Sequence, residues 1–269
     1  MTAVAQPIDL ARPRHNRFVR TVLDIGAVTA RNLTTYRRVP QLLVFSTIQP
    51  VIFVLLFRYV FGGAIHVPGV PYVDYLMPGI FVQTVMFGSI STGIGLATDM
   101  QSGLIERFRS LPMARSAVLA GRTFADLTRN VFVLILMCLV GFAVGWRIHT
   151  GFVPFLAGLG LMLLFSYAMS WVFATVGMLV GDPEATQAAS FPVLAPLIFA
   201  SSAFVAVATM PGWLQGFARN QPLSVVVTAV RDLTVGGPTA HDVLAAIAWC
   251  VGIVAVAAPI AVTIYRRKN

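Results

Sequence analysis

Six apolar stretches in this chain limit its fold more than any motif does. They lie at about 42–61, 75–98, 126–146, 152–180, 191–208 and 243–264. A helix that crosses the ~30 Å hydrocarbon core of a bilayer uses about 20 apolar residues at 1.5 Å each. In lipid every backbone N–H and C=O must be satisfied within such a segment, so segments of this kind fold as helices. Only 11% of the 269 residues are charged, against about 25% in soluble domains. The polar intervals are short and leave no room for a water-soluble domain. The expectation is an all-α integral membrane protein with six transmembrane helices, occupying 39–269.

Residues 1–16 are polar and Pro-containing and read as a disordered tail, not a cleaved signal peptide. From 17 to 38 the pattern is amphipathic: Phe18, Val22, Ile25, Thr29, Leu33 and Tyr36 recur at helical steps, while Arg17, Arg20, Arg31, Arg37 and Arg38 fall elsewhere. That spacing predicts an interfacial helix lying among membrane lipid headgroups; a solvated helix packed on the rest of the protein is the alternative. Pro50 should kink the first span, with Arg58 snorkelling at its far end. Gly79, Gly88, Gly93 and Gly95 suit close helix contact in the second, and Gly141 and Gly145 form a GxxxG in the third. The run from Val131 to Trp146 would rise only about 24 Å, so that helix should start near Asp126, with Arg129 snorkelling to the inner surface. GDPEATQ at 181–187 reads as a tight turn, and 210–237 as one or two short external helices that re-enter the membrane.

Charge sets the topology. Six spans put both termini on one face, and fifteen of the nineteen basic residues lie on that face. The positive-inside rule makes it cytoplasmic. The protein is then multi-pass, with both termini cytoplasmic.

Between the second and third spans lies a charged island, Asp99 to Asp126. Leu104, Ile105, Phe108 and Leu111 recur at helical spacing, and Pro112 marks an end. A short cytoplasmic amphipathic helix over about 101–111 is expected. Catalytic chemistry is hard to find. A Walker A loop requires a lysine that reaches the nucleotide phosphates, and the single lysine here is Lys268, next to the C-terminus. The chain thus has no ATP site of that kind. Cys138 and Cys250 sit in separate apolar runs, and His15, His66, His149 and His241 lack partners at ligand spacing, so no metal or other cofactor is assigned. The basic residues form no patch interleaved with exposed aromatics, which argues against nucleic acid. Paired carboxylates within the spans are absent. A membrane path without its own energy source, carrying one large cytoplasmic amphipathic element, suits a transport subunit driven by another protein.

The run Gly103-Leu104-Ile105-Glu106-Arg107-Phe108-Arg109-Ser110-Leu111-Pro112, with Arg115, Gly121, Arg122 and Asp126 beyond it, resembles the cytoplasmic signature of type-2 ABC transporter permeases. The daunorubicin-resistance-like exporters are the branch it resembles most. The likeness extends to Asp182-Pro183-Glu184, to Trp213, to Pro222 and to Arg231. It implies a transporter of two permease subunits, either two copies of this chain or this chain with a paralogue. Two ABC ATPase subunits would hold ATP and Mg. It also implies that 101–111 is a coupling helix seated in the ATPase, its apolar residues the anchor and Glu106, Arg107 and Arg109 the ion-pairing groups. Substrate contacts are expected on spans 1, 2 and 5. A hydrophobic or amphipathic drug or lipid-like cargo is expected; a polysaccharide or glycolipid exporter of the same superfamily and a self-contained secondary carrier are the alternatives.

Overall fold

The computed structural model describes residues 23, 26–31, 34, 41–63, 69–103 and 115–267, with backbone alone at 41–46, 115–119 and 266. Among the described residues regular structure is entirely helical. Residues 26–31 are helical. Then follow α1 (Gln41–Leu55), which widens into π geometry at Leu56–Phe61, α2 (Tyr72–Gln101), α3 (Arg115–Ala143) and α4 (Phe152–Val180). After them come α5 (Pro183–Phe199), a 3-10 turn at Val207–Thr209, α6 (Gly212–Asn220), α7 (Pro222–Val235) and α8 (Thr239–Arg267). Four helices are long and apolar enough to cross a membrane: α2, the 120–143 part of α3, α4, and α8 as far as Tyr265. A shorter apolar helix runs over Thr47–Phe61.

Helix ends follow local chemistry. Gly181 closes α4 in the left-handed conformation at φ 78°, which glycine adopts without steric cost. The next residue, Asp182, caps α5 by accepting the Ala185 N–H at 2.7 Å, and Pro183 occupies the first helical position. The expected 181–187 turn is therefore two residues long. The helix expected at 191–208 runs instead over Pro183–Phe199, 17 residues. Residues 200–206 are not helical and, although apolar, cross α2 as irregular backbone. The GxxxG reading also changes. Gly141 packs against Met77 and Trp146, whereas Gly145 lies beyond α3 at φ 97°, in the turn that buries Trp146.

At the centre is α2. In its most apolar stretch 72% of residues are buried, against 11% in α8, which sits at the periphery. Phe81, Met77 and Met86 on α2 pack with Met162, Phe165 and Phe173 on α4. The two backbones touch where Gly93 meets Gly177; a Cβ on either would overlap the carbonyl region of the other helix. Gly79 admits the Ala203 backbone in the same way. Apolar side chains on α8 such as Val251 and Val256 stay exposed, the surface expected against lipid.

Candidate functional site

One face of α3 carries polar groups at helical spacing: Arg122, Asp126, Arg129 and Asn130. They meet α2 and build a ladder at one end of the bundle. Arg122 lies 3.3 Å from the Asp99 carboxylate and 3.8 Å from that of Asp126. The Thr92 hydroxyl donates to Asp126 at 2.6 Å, inside a fully buried site. Arg31 reaches Asp99 at 3.6 Å, and the Thr29 hydroxyl donates to the Gly121 carbonyl at 3.1 Å. The segment preceding α1 is thus fastened to the bases of α2 and α3. One turn deeper Arg129 donates to the Ser91 hydroxyl at 2.7 Å and to the Gly88 carbonyl. Asn130 donates to the Ser166 hydroxyl at 2.5 Å, and Ser89 to the Ser166 carbonyl at 3.0 Å, which carries the ladder across to α4. Two glycines make room, since a Cβ at Gly95 would overlap the Arg122 guanidinium and one at Gly88 the Asn130 amide. Buried ions persist only when paired and hydrogen-bonded; removing one partner from such a site costs about 3–5 kcal/mol.

Several signature residues therefore come together. Gly121, Arg122 and Asp126 are all in the ladder, and Arg31, expected on the interfacial helix, reaches it at Asp99. Gly103 ends α2 in the left-handed region at φ 66°. Arg115 opens α3. Leu104, Ile105, Glu106, Arg107, Phe108, Arg109, Leu111 and Pro112 lie outside the described residues, as do Arg17, Arg20, Arg37 and Arg38. Arg129 departs from expectation. It is 6% exposed and turns inward to α2 rather than snorkelling, because Ser91 and the Gly88 carbonyl offer acceptors that apolar surroundings otherwise lack. Thr92, Asn130, Ser89 and Ser166 were not singled out in the sequence. Their signal was present in the four polar residues of α3 at 122, 126, 129 and 130, on one face of an apolar run.

Asp182-Pro183-Glu184 belongs to the same end of the bundle. The Gln101 amide donates to Asp182 at 2.7 Å, tying the end of α2 to the start of α5. The Ala185 N–H, and then Gln101, hold the Asp182 carboxyl below its ordinary pKa.

The opposite end is closed by a second polar set. Arg231 on α7 donates to the carbonyls of Tyr75 at 3.1 Å and Ser202 at 2.9 Å, with its guanidinium 3.6 Å above the Tyr75 ring. Burial lowers its pKa, an effect partly offset by Tyr75 and Asp232. Gln221 donates to the carbonyls of Leu197 and Ala200, both at 2.8 Å. The non-helical segment 200–206 is held this way, its freed carbonyls supplied with donors from other elements. Asp74 accepts from the Arg147 N–H at 3.0 Å and sits 2.7 Å from His149. The Asp232 carboxyl is pushed up to about 6, first by burial and then by the nearby Asp242 carboxylate. Pro222 occupies the first turn of α7, while Trp213 on α6 is 82% exposed. Among the described residues no three His, Cys, Asp or Glu side chains come together as a metal site. What the ladder can do is mechanical: it binds helix bases into one unit.

The family model described as ABC-2 type transporter matches residues 24–234. The chain is 35% identical, over 93% of each chain, to the daunorubicin resistance ABC transporter permease protein DrrB1 of Streptomyces coeruleorubidus. It is 27% identical to the probable doxorubicin resistance ABC transporter permease protein DrrC of Mycobacterium tuberculosis, over 100% of this chain and 99% of that one. The doxorubicin resistance permease protein DrrB of the same organism is 28% identical over 74% of this chain and 73% of its own.

Proposed function

This chain belongs to the ABC-2 type transporter family, and from that premise we propose that it is the permease subunit of an ATP-driven exporter of amphipathic drugs or lipid-like compounds. It is a multi-pass membrane protein that supplies the path, while a separate ABC ATPase binds ATP and Mg and supplies the energy. The assembly is two permease subunits, identical or paralogous, with two ATPases. Six passes cross the bacterial plasma membrane: α1 with its π turns, α2, α3, α4, α5 and α8. The end of the bundle that gathers Thr29, Gln101, Gly121 and Asp182 is cytoplasmic, consistent with the basic residues concentrated in the segments that lead to it. Helices α6 and α7 lie at the external face.

One observation carries the mechanism. The ladder joins α2 and α3, the two helices that bracket segment 104–114, to each other and to residues 29–31. A push on that segment therefore moves helix bases together instead of bending a loop. Leu104, Ile105, Phe108 and Leu111 anchor the segment in the ATPase; Glu106, Arg107 and Arg109 give the contact its direction. The double variant Glu106→Ala with Arg109→Ala tests this. It should remain folded and membrane-inserted, keep basal ATP hydrolysis in the complex, and lose drug efflux from cells at least about ten-fold, the loss expected for one interaction worth ~1.4 kcal/mol. Wild-type efflux would remove the segment from the transmission.

A further inference from the structure

We propose that Phe57 is a latch: it holds the far end of α1 against the non-helical segment 200–206, and the turns that carry it rewind when it lets go. The consequence for transport rests on the exporter reading; the latch itself does not. From Leu56 to Phe61 α1 leaves α geometry for π geometry. Bonds in such turns reach back five residues instead of four, an arrangement that is rare and gathers at functional sites. The widened turn holds more residues than an α turn, so a change from one to the other redistributes these six side chains around the helix axis. Of the six only Phe57 is half-buried; Leu56, Arg58, Tyr59, Val60 and Phe61 are exposed. The side chains of the segment are therefore anchored at one point.

The anchor is aromatic. The Phe57 and Phe204 rings lie face to face, their centroids 4.5 Å apart and their planes within 7°. Phe53, Phe57 and Phe61 form a column along α1 with successive rings 6.0 and 5.2 Å apart, and Phe204 closes it from the other side. The two sides of that contact are not held alike. Around Phe204 the backbone is braced. The Tyr72 hydroxyl donates to the Phe204 carbonyl at 3.4 Å and the Tyr75 hydroxyl to that of Ser202 at 3.2 Å, while the Ser202 N–H donates to the Ser224 hydroxyl at 3.0 Å. Phe204 itself is buried. On the π turns the ring contact is the fastening. One stacked pair biases an equilibrium by about two- to ten-fold, enough to favour the closed position and too little to fix it. Phe53, one turn back in α geometry, meets Phe204 in a tilted contact at 6.4 Å, so the body of α1 stays docked when Phe57 leaves.

Hydrogen–deuterium exchange of the full chain in lipid nanodiscs tests the division into a fixed and a movable side. Phe204→Ala should quicken exchange over 56–61 at least about three-fold, while 47–53 and α4 keep the parent rates. Phe204→Tyr, which keeps the ring, should match the parent. Unchanged exchange over 56–61 in Phe204→Ala would overturn the latch. So would an equal loss of protection in α4, because Phe204 would then be an ordinary core residue. The pair Phe57→Cys with Phe204→Cys tests the movement. A short bifunctional thiosulfonate should bridge the two thiols, read by mass spectrometry of the joined peptides; no bridge, where each thiol reacts singly, would overturn the contact. In the cell efflux assay set out for Glu106→Ala with Arg109→Ala, bridging should cut efflux at least about ten-fold and a reductant should restore it. Efflux unchanged by bridging would overturn the movement. Exchange and bridging need no ATPase, so they judge the latch even where the exporter reading fails.

Discussion

A methyl group on Gly177 would overlap the Gly93 carbonyl, and no side-chain rearrangement relieves a clash with backbone. Gly177→Val should therefore force α2 and α4 apart, at a cost of about 3 kcal/mol or more, the upper range for overpacked cores. A thermal unfolding midpoint lower by roughly 6–12 °C in detergent is the expected reading; an unchanged midpoint would mean that the helices do not cross there. Asp232 gives a prediction of opposite character. Its folded pKa of about 6 exceeds the ordinary value near 4, so the folded state holds the proton more tightly than the unfolded chain. That contribution to stability is complete below pH ~4 and is lost as pH rises through ~6. Asp232→Asn cannot ionise. It should flatten the stability profile between pH ~4 and ~6 and stabilise the protein at pH 7 by about 1 kcal/mol, partial exposure having reduced the full shift. A variant whose profile matches the parent's would show that Asp232 titrates normally. At this scale Gly79, Gly88, Gly93 and Gly95 were legible in sequence as positions of close contact, whereas Gly177 was not singled out and Gly145 serves a turn instead of a helix contact. The direction of Arg129 was not: snorkelling is the usual outcome for an arginine near a span end, and its acceptors, Ser91 and the Gly88 carbonyl, lie about forty residues away.

Among the elements, α5 and the segment after it diverge most from local reading. The run Ala203 to Ala208 is as apolar as a span, yet it is irregular as far as Ala206 and a 3-10 turn beyond, with Ala203 against α2. Hydropathy cannot separate these cases, since both are buried. What separates them is the set of donors that satisfies the freed carbonyls: Arg231, Gln221 and Tyr75, from other elements. Arg231→Met keeps the length and removes the donors. It should take one of two donors from the Ser202 carbonyl, which keeps the Tyr75 hydroxyl, and one from the Tyr75 carbonyl, at about 1–3 kcal/mol in all. Amide exchange should quicken across 200–206 while α4 stays protected; uniform protection would contradict the bracing role. The ladder on α3 shows the reverse situation. Its residues sat in view at helical spacing, and only their partners on α2 and α4 had to await the fold.

For the whole molecule, the apolar runs indicated a helical membrane protein, and the family match with its drug-resistance relatives agrees. The cytoplasmic signature divides in two. Arg122, Asp126 and Gly121 hold α2, α3 and the preceding segment together. The stretch 104–112 carries the proposed contact with the ATPase. Local pattern could suggest both parts but could not assign different tasks to them, because internal ion pairs and partner-facing charges look alike in sequence. Whether a separate ATPase drives this chain is read from purification of the C-terminally tagged protein in mild detergent, with mass spectrometry of what accompanies it. A stoichiometric soluble partner carrying GxxxxGK[ST] should accompany it and be lost when Phe108 or Glu106 is replaced. A homo-oligomer with no ATPase, under conditions that preserve a known ABC complex, would contradict it.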